Sequence, residues 1–100
     1  MSQNGTHEYE LIFIAQPEVE ESTLGTLNER MVQLISTGEG QMINTELWGK
    51  RALAYPIEGH LEGYYVLHRF AMEPGQADEL ERMLRFNEDV VRHLLIRTDA

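Results

Sequence analysis

The order in which the apolar period changes along the 100 residues leaves few folds open to this chain. From His7 to Ala15 the sequence is rich in β-branched and aromatic residues and halts at Gln16-Pro17, as a strand does. Tyr9, Leu11 and Phe13 share one face of it; Glu10, Ile12 and Ile14 share the other. Both faces are largely apolar, which suits a central strand. The period then turns helical between Glu18 and Thr37. There Leu24, Leu27, Met31, Leu34 and Ile35 form a single stripe, the expected core face of a helix. Pro17 and the acidic Glu18, Glu20 and Glu21 suit the first turn, where free N–H groups favour anions. Gly38 and Gly40 suit the end.

The middle of the chain returns to strand patterning. Gln41 to Trp48 reads as a second strand, and Gly49-Lys50-Arg51 as a tight turn or short loop. Ala52 to Ile57 begins a third strand, interrupted around Pro56 and by a polar break from Glu58 to Glu62. Gly63 to Met72 resumes it. Pro74-Gly75 marks a boundary. Gln76 to Asn87 is predicted as a second helix with Ala77, Leu80 and Leu84 inward and Met83 alongside, and Val90 to Arg97 as a last strand. The order is βαββαβ. It predicts an α+β, ferredoxin-like sandwich: a four-stranded antiparallel sheet with two helices on one face. The other face stays open, with Ile12, Ile14 and one alternating set from the third strand on it. Exposed apolar surface of that kind marks a docking surface. One domain is expected over residues 1–100, with 1–6 flexible.

Composition narrows the chemistry. There is no cysteine, so disulfides and thiolate metal sites are excluded. His7, His60, His68 and His93 lack ligand spacing, and no metal or cofactor is expected. The apolar run Leu11–Ala15 is too short to span a bilayer and no basic region precedes it, which predicts a soluble cytoplasmic protein. No catalytic residue is expected. The serines lack a nucleophile elbow, Gly38-Glu39-Gly40 is only a helix-ending turn, and the acidic pairs lie at helix ends where solvation explains them. Gln16-Pro17-Glu18 has the wrong charge for a phosphate loop after the first strand.

Charge sets the terms for any nucleic-acid role. Eight Lys and Arg face 17 Asp and Glu, a formal charge of −9. Affinity for RNA comes largely from neutralising phosphates, so an acidic chain needs clustered cations or a basic partner. Lys50 and Arg51 sit together beside Trp48; Arg69 is on the third strand, and Arg92 and Arg97 are on the last. Arg30, Arg82 and Arg85 fall among acids on the helices, where ion pairs are expected. Glu62 to Phe70 faintly echoes the aromatic strand of the RNA-recognition motif, but Glu62 stands where a basic residue belongs. Tyr64 and Tyr65 are read as one core and one surface aromatic.

The stretch Trp48-Gly49-Lys50-Arg51-Ala52-Leu53-Ala54-Tyr55-Pro56-Ile57 resembles the central motif of the family of ribosomal protein six of the bacterial small subunit. Tyr9-Glu10, Gly63-Tyr64-Tyr65, Arg85-Phe86-Asn87, Val90-Val91-Arg92 and Arg97 follow in register, so the resemblance covers residues 7–98. It implies a ferredoxin-like fold, no enzymatic activity, and a structural place on the platform of the small subunit. It also implies binding to central-domain rRNA jointly with the small, basic ribosomal protein eighteen, which would answer the charge problem. By the same resemblance Lys50, Arg51, Arg92 and Arg97 would contact rRNA or the partner. Trp48, Leu53, Tyr55 and Pro56 would shape the hairpin and the partner surface. Two departures remove positive charge: His7 stands where the family often has arginine, and Glu58-Gly59 where lysine often follows Pro-Ile.

Two other functions fit the same fold. A small-molecule regulatory or RNA-recognition-type module would act outside the ribosome, the regulatory one dimerising through the open sheet. A dimeric α+β-barrel enzyme would need a titratable group between sheet and helices, for which His68 is the candidate.

Overall fold

A computed structural model of the chain describes residues 5–37 and 39–99. The elements run β1 (His7–Ala15), α1 (Glu21–Ile35), β2 (Gln41–Ile57), β3 (His60–Met72), α2 (Pro74–Phe86) and β4 (Val90–Arg97). The four strands form one sheet in the order β2-β3-β1-β4, and every pairing is antiparallel. This is the ferredoxin-like sandwich that the pattern predicts. Residues 1–4 of the expected flexible segment, and Gly38 at the expected helix end, lie outside the described residues.

β1 is central because both of its faces are apolar. Leu11, Phe13 and Ala15 turn toward the helices and are fully buried. They meet Val66, Phe70 and Met72 of β3, the α1 stripe Leu27, Met31 and Ile35, and Ala77, Leu80 and Leu84 of α2. α1 begins at Glu21, three residues later than the acidic run suggested, since Pro17-Glu18 is used in a turn. Gln16 fixes that turn: its side-chain Oε1 accepts from the Glu18 N–H at 2.7 Å, and its Nε2 donates to Asp89 at 3.0 Å. The end of β1 is thereby tied to the loop before β4.

The largest difference from the sequence reading is the hairpin. β2 does not end at Trp48. It runs on to Ile57, and the reversal falls at Glu58-Gly59, with Ile57 and His60 paired across it. Both turn residues have positive φ, 50° and 83°, the backbone of a two-residue hairpin turn that matches the twist of its strands. Glycine at 59 adopts this freely. Lys50 and Arg51 therefore stand on a strand, opposite Tyr64 and Gly63, and not in a loop. Gly49 occupies a β-bulge instead of a turn, with Trp48 as the extra residue. A larger irregularity follows: Leu53, Ala54, Tyr55 and Pro56 stand opposite Leu61 alone. Proline is tolerated there because a bulge asks for no ladder hydrogen bond.

Candidate functional site

The bulge in β2 shapes the face of the sheet that the helices leave open. It bends Leu53–Ile57 back over the sheet, where Leu53, Tyr55 and Ile57 line a cleft of about 150 Å³ with Ile14, Tyr65 and Arg92. Ile14, expected in the open, is consequently buried. Gly63 lets this happen. A Cβ at that position would lie 2.4 Å from Ile14 Cγ2 and 3.0 Å from the Ala15 carbonyl oxygen, so no larger residue fits under the bend.

Strand alternation then sorts the predicted site residues. Arg51 and Arg92 reach the open face. The Arg51 guanidinium lies 5.3 Å from the Trp48 ring centroid, and its Nε donates to the Trp48 carbonyl at 3.2 Å. Trp48 in turn stacks on Tyr65, centroids 6.1 Å apart and 15° from parallel, while its Nε1 donates to Glu46 at 2.9 Å. Arg92 Nη1 donates to the Tyr55 hydroxyl at 3.2 Å, joining β4 to the bent end of β2. Trp48, Leu53, Tyr55, Arg51 and Arg92 are thus brought together, and Pro56 sits exposed in the bend above them.

The other two cations are not part of this group. Lys50, one residue from Arg51, points to the opposite side, with Nζ 5.4 Å from the centroid of Tyr64. Arg97 lies at the far end of β4, where Nε donates to Asp99 at 2.7 Å. That bond is the main reason the Asp99 carboxyl is held below the usual carboxylate range. The two tyrosines differ as expected in direction: Tyr64 packs against the core, and Tyr65 stacks under Trp48 on the open side. Trp48 and Tyr65 are engaged with each other, unlike the free aromatic platforms of the RNA-recognition motif.

Two features of the open face escaped the sequence reading, an apolar strip and an ion pair. Leu94 and Ile96 lie on it 57% and 43% exposed, forming an uncovered apolar strip beside Arg92. Their period-2 spacing with Arg92 was the signal that could have found them. Across the sheet, Arg69 donates from Nε to Glu10 at 2.9 Å, and this bond raises the arginine's already high pKa further.

His68 lies on the other, helix-covered side and is only 1% exposed. Its Nδ1 is 2.9 Å from the Thr45 hydroxyl and its Nε2 3.1 Å from Asn28 Oδ1. In the neutral Nε2–H tautomer the ring donates to Asn28 and accepts from Thr45, so every polar atom is satisfied. Burial pushes its pKa down to about 4. A ring held neutral by two structural bonds, and stacked on Phe13, is a core histidine.

The chain matches the Ribosomal protein S6 family over residues 8–97. It belongs to that family. Among curated relatives it is 43% identical to the "Small ribosomal subunit protein bS6" of Bifidobacterium longum over 91 residues, 91% of this chain and 94% of that one. The protein of the same description from Moorella thermoacetica is 38% identical, covering 91% and 93%. A crystal structure of 30S ribosomal protein S6 from Thermotoga maritima superposes with a TM-score of 0.85 at 30% identity, over 93% of this chain and 88% of that one. The family is ribosomal and structural rather than enzymatic. Among the described residues no helix is long and apolar enough to cross a membrane.

Proposed function

We propose that this chain, as a structural constituent of the small ribosomal subunit, pairs with small-subunit ribosomal protein eighteen. The two together contact central-domain rRNA, supporting platform assembly in the cytoplasm. The observation that carries this reading is the makeup of the open face. It carries Arg51 against Trp48 on one edge strand and Arg92 beside the uncovered Leu94 and Ile96 on the other, in a body whose formal charge is −9. An uncovered apolar strip calls for a protein partner, and the surrounding acidity favours a basic one. A second copy of this chain would bring like charge to like charge. Trp48, Leu53, Tyr55 and Pro56 belong to the partner side of this face. Arg51 and Arg92 are placed to reach phosphates that the partner brings near. Lys50 and Arg97 are peripheral, the latter held by Asp99.

The test is a binding series on central-domain rRNA. The purified chain alone is expected to bind poorly, and well after protein eighteen is added. Arg51→Glu with Arg92→Glu should weaken the joint complex, and Leu94→Glu should abolish pairing. Tight, salt-insensitive binding by the lone chain would sink the proposal. So would a stable homodimer on gel filtration, which belongs to the regulatory module of the same fold.

A further inference from the structure

The helical layer carries a second concentration of cations, one that the sequence suggested would be spent in helix ion pairs. Arg30 of α1 and Arg82 of α2 line one open cleft of about 300 Å³, together with Glu79, Met83, Phe86 and Asn87. Arg85 flanks it, with Cζ 6.0 Å from the Phe86 ring centroid. Among the described residues the only ion pair here is Arg82 Nη1 to Glu79 Oε1 at 3.7 Å, between two well exposed side chains. Two neighbouring acids have other contacts: Glu81 approaches His93 Nε2 of β4 at 3.8 Å, and Asp89, which shares an adjacent cleft with Arg30, accepts from Gln16. Two guanidinium groups and one carboxylate therefore line this cleft, with Arg85 against its Phe86, in a chain that is otherwise strongly acidic.

At the centre stands Phe86, 75% exposed, the most exposed of the large apolar residues described. A bare ring on a soluble surface is normally avoided, and here it is bordered by arginines on both helices. Asn87, at the cleft wall, accepts from the Asp89 N–H through Oδ1, which leaves its amide NH₂ to donate.

From this geometry we infer a binding site for one unstacked nucleotide of single-stranded RNA, on the side of the molecule away from the open sheet face. The base lies on the Phe86 ring, since stacking on an aromatic face accepts any base. The phosphate lies between Arg30 and Arg82, whose planar forks match phosphate oxygens in pairs. The Asn87 amide meets a carbonyl on the base edge. The inference rests on the RNA-contact reading above, but it uses none of the same residues.

The two can fail separately. The purified full chain, isotope-labelled, is titrated with a short uridine oligonucleotide at low salt and followed by NMR. Weak binding in the millimolar range is expected, with the largest shifts at the Phe86 ring and the Arg30 and Arg82 side chains. Phe86→Ala, whose exposed position makes it harmless to folding, should weaken binding roughly tenfold. Arg30→Gln should lower the salt slope by about 0.7, the loss of one phosphate contact to a single strand. No binding, unchanged binding in Phe86→Ala, or shifts confined to the open sheet face would each overturn the inference. So would equal binding of an oligoglutamate peptide at the same residues, which would make the patch a carboxylate-reading protein contact. None of these outcomes bears on the joint complex with protein eighteen, which the Arg51 and Arg92 variants test.

Discussion

Lowering the pH should weaken this fold through one buried imidazole. His68 has a pKa of about 4 in the folded chain, against 6.5 for an ordinary histidine. Between those values the unfolded chain takes up a proton that the folded chain refuses. Stability is therefore full above about pH 6.5 and falls as the pH drops toward about 4. The difference in pKa corresponds to roughly 3 kcal/mol at full effect, of which about 2.5 kcal/mol is gone by pH ~4.5. That is a large share of the roughly 5–15 kcal/mol holding a domain of this kind together. Carboxylates titrate at the lower end of the same range, so the assay is comparative. Urea unfolding is measured at pH ~7 and pH ~4.5 for the native chain and for His68→Gln, whose amide can hydrogen-bond to Asn28 and Thr45 but cannot titrate. The pH-dependent loss should be smaller in the variant by about 2 kcal/mol. His7, His60 and His93 are common to both proteins and cancel. Equal losses in the two proteins would refute the reasoning, as would a His68 ring resonance that titrates at the ordinary histidine value.

Other consequences are open to simpler measurements. Gly63→Ala forces a methyl into the space of Ile14 and should cost about 1–3 kcal/mol by thermal denaturation, partly recovered when Ile14→Ala is added. Leu80→Ala empties a fully buried site under α2 and should cost about 2–5 kcal/mol in urea unfolding. Trp48 is the only tryptophan, so Tyr65→Leu, which removes its stacking partner, should shift the emission of the folded protein to the red. An unchanged spectrum would mean that the stack does not persist in solution.

The sequence was most legible where one period ran uninterrupted. β1 and β4 fall within their predicted bounds, and the buried set of α1 is drawn from its predicted stripe. The hairpin was misread because its signals are inverted. Gly49 looks like a turn and is a bulge, whereas the true reversal puts a non-glycine residue, Glu58, at positive φ. That one displacement changes what Lys50 and Arg51 mean. As a loop pair they would act together; on a strand, adjacent residues point apart. Bulges at Trp48 and at 53–56 reset the alternation, so which side chains share the open face could not be counted from the chain alone. Arg97 was legible as a cation but not as one already bound to Asp99, since that pairing depends on how the last strand ends. The resemblance named the motif residues, and only the folded sheet separated Arg51 and Arg92, on the open face, from Lys50 and Arg97.

The sheet order also bears on how the molecule is made. β1 lies between β3 and β4, so the earliest strand to leave the ribosome pairs only with strands synthesised well after it. Its two apolar faces wait through α1 and the whole of β2 before the first neighbour arrives, and until Val90–Arg97 before the second. Pairings this distant in sequence form late and leave sticky strand surface exposed meanwhile. The abundant carboxylates on the rest of the nascent segment would then serve a purpose unrelated to any ligand. Like charge of this kind opposes association between unfinished copies before the last strand closes the sheet.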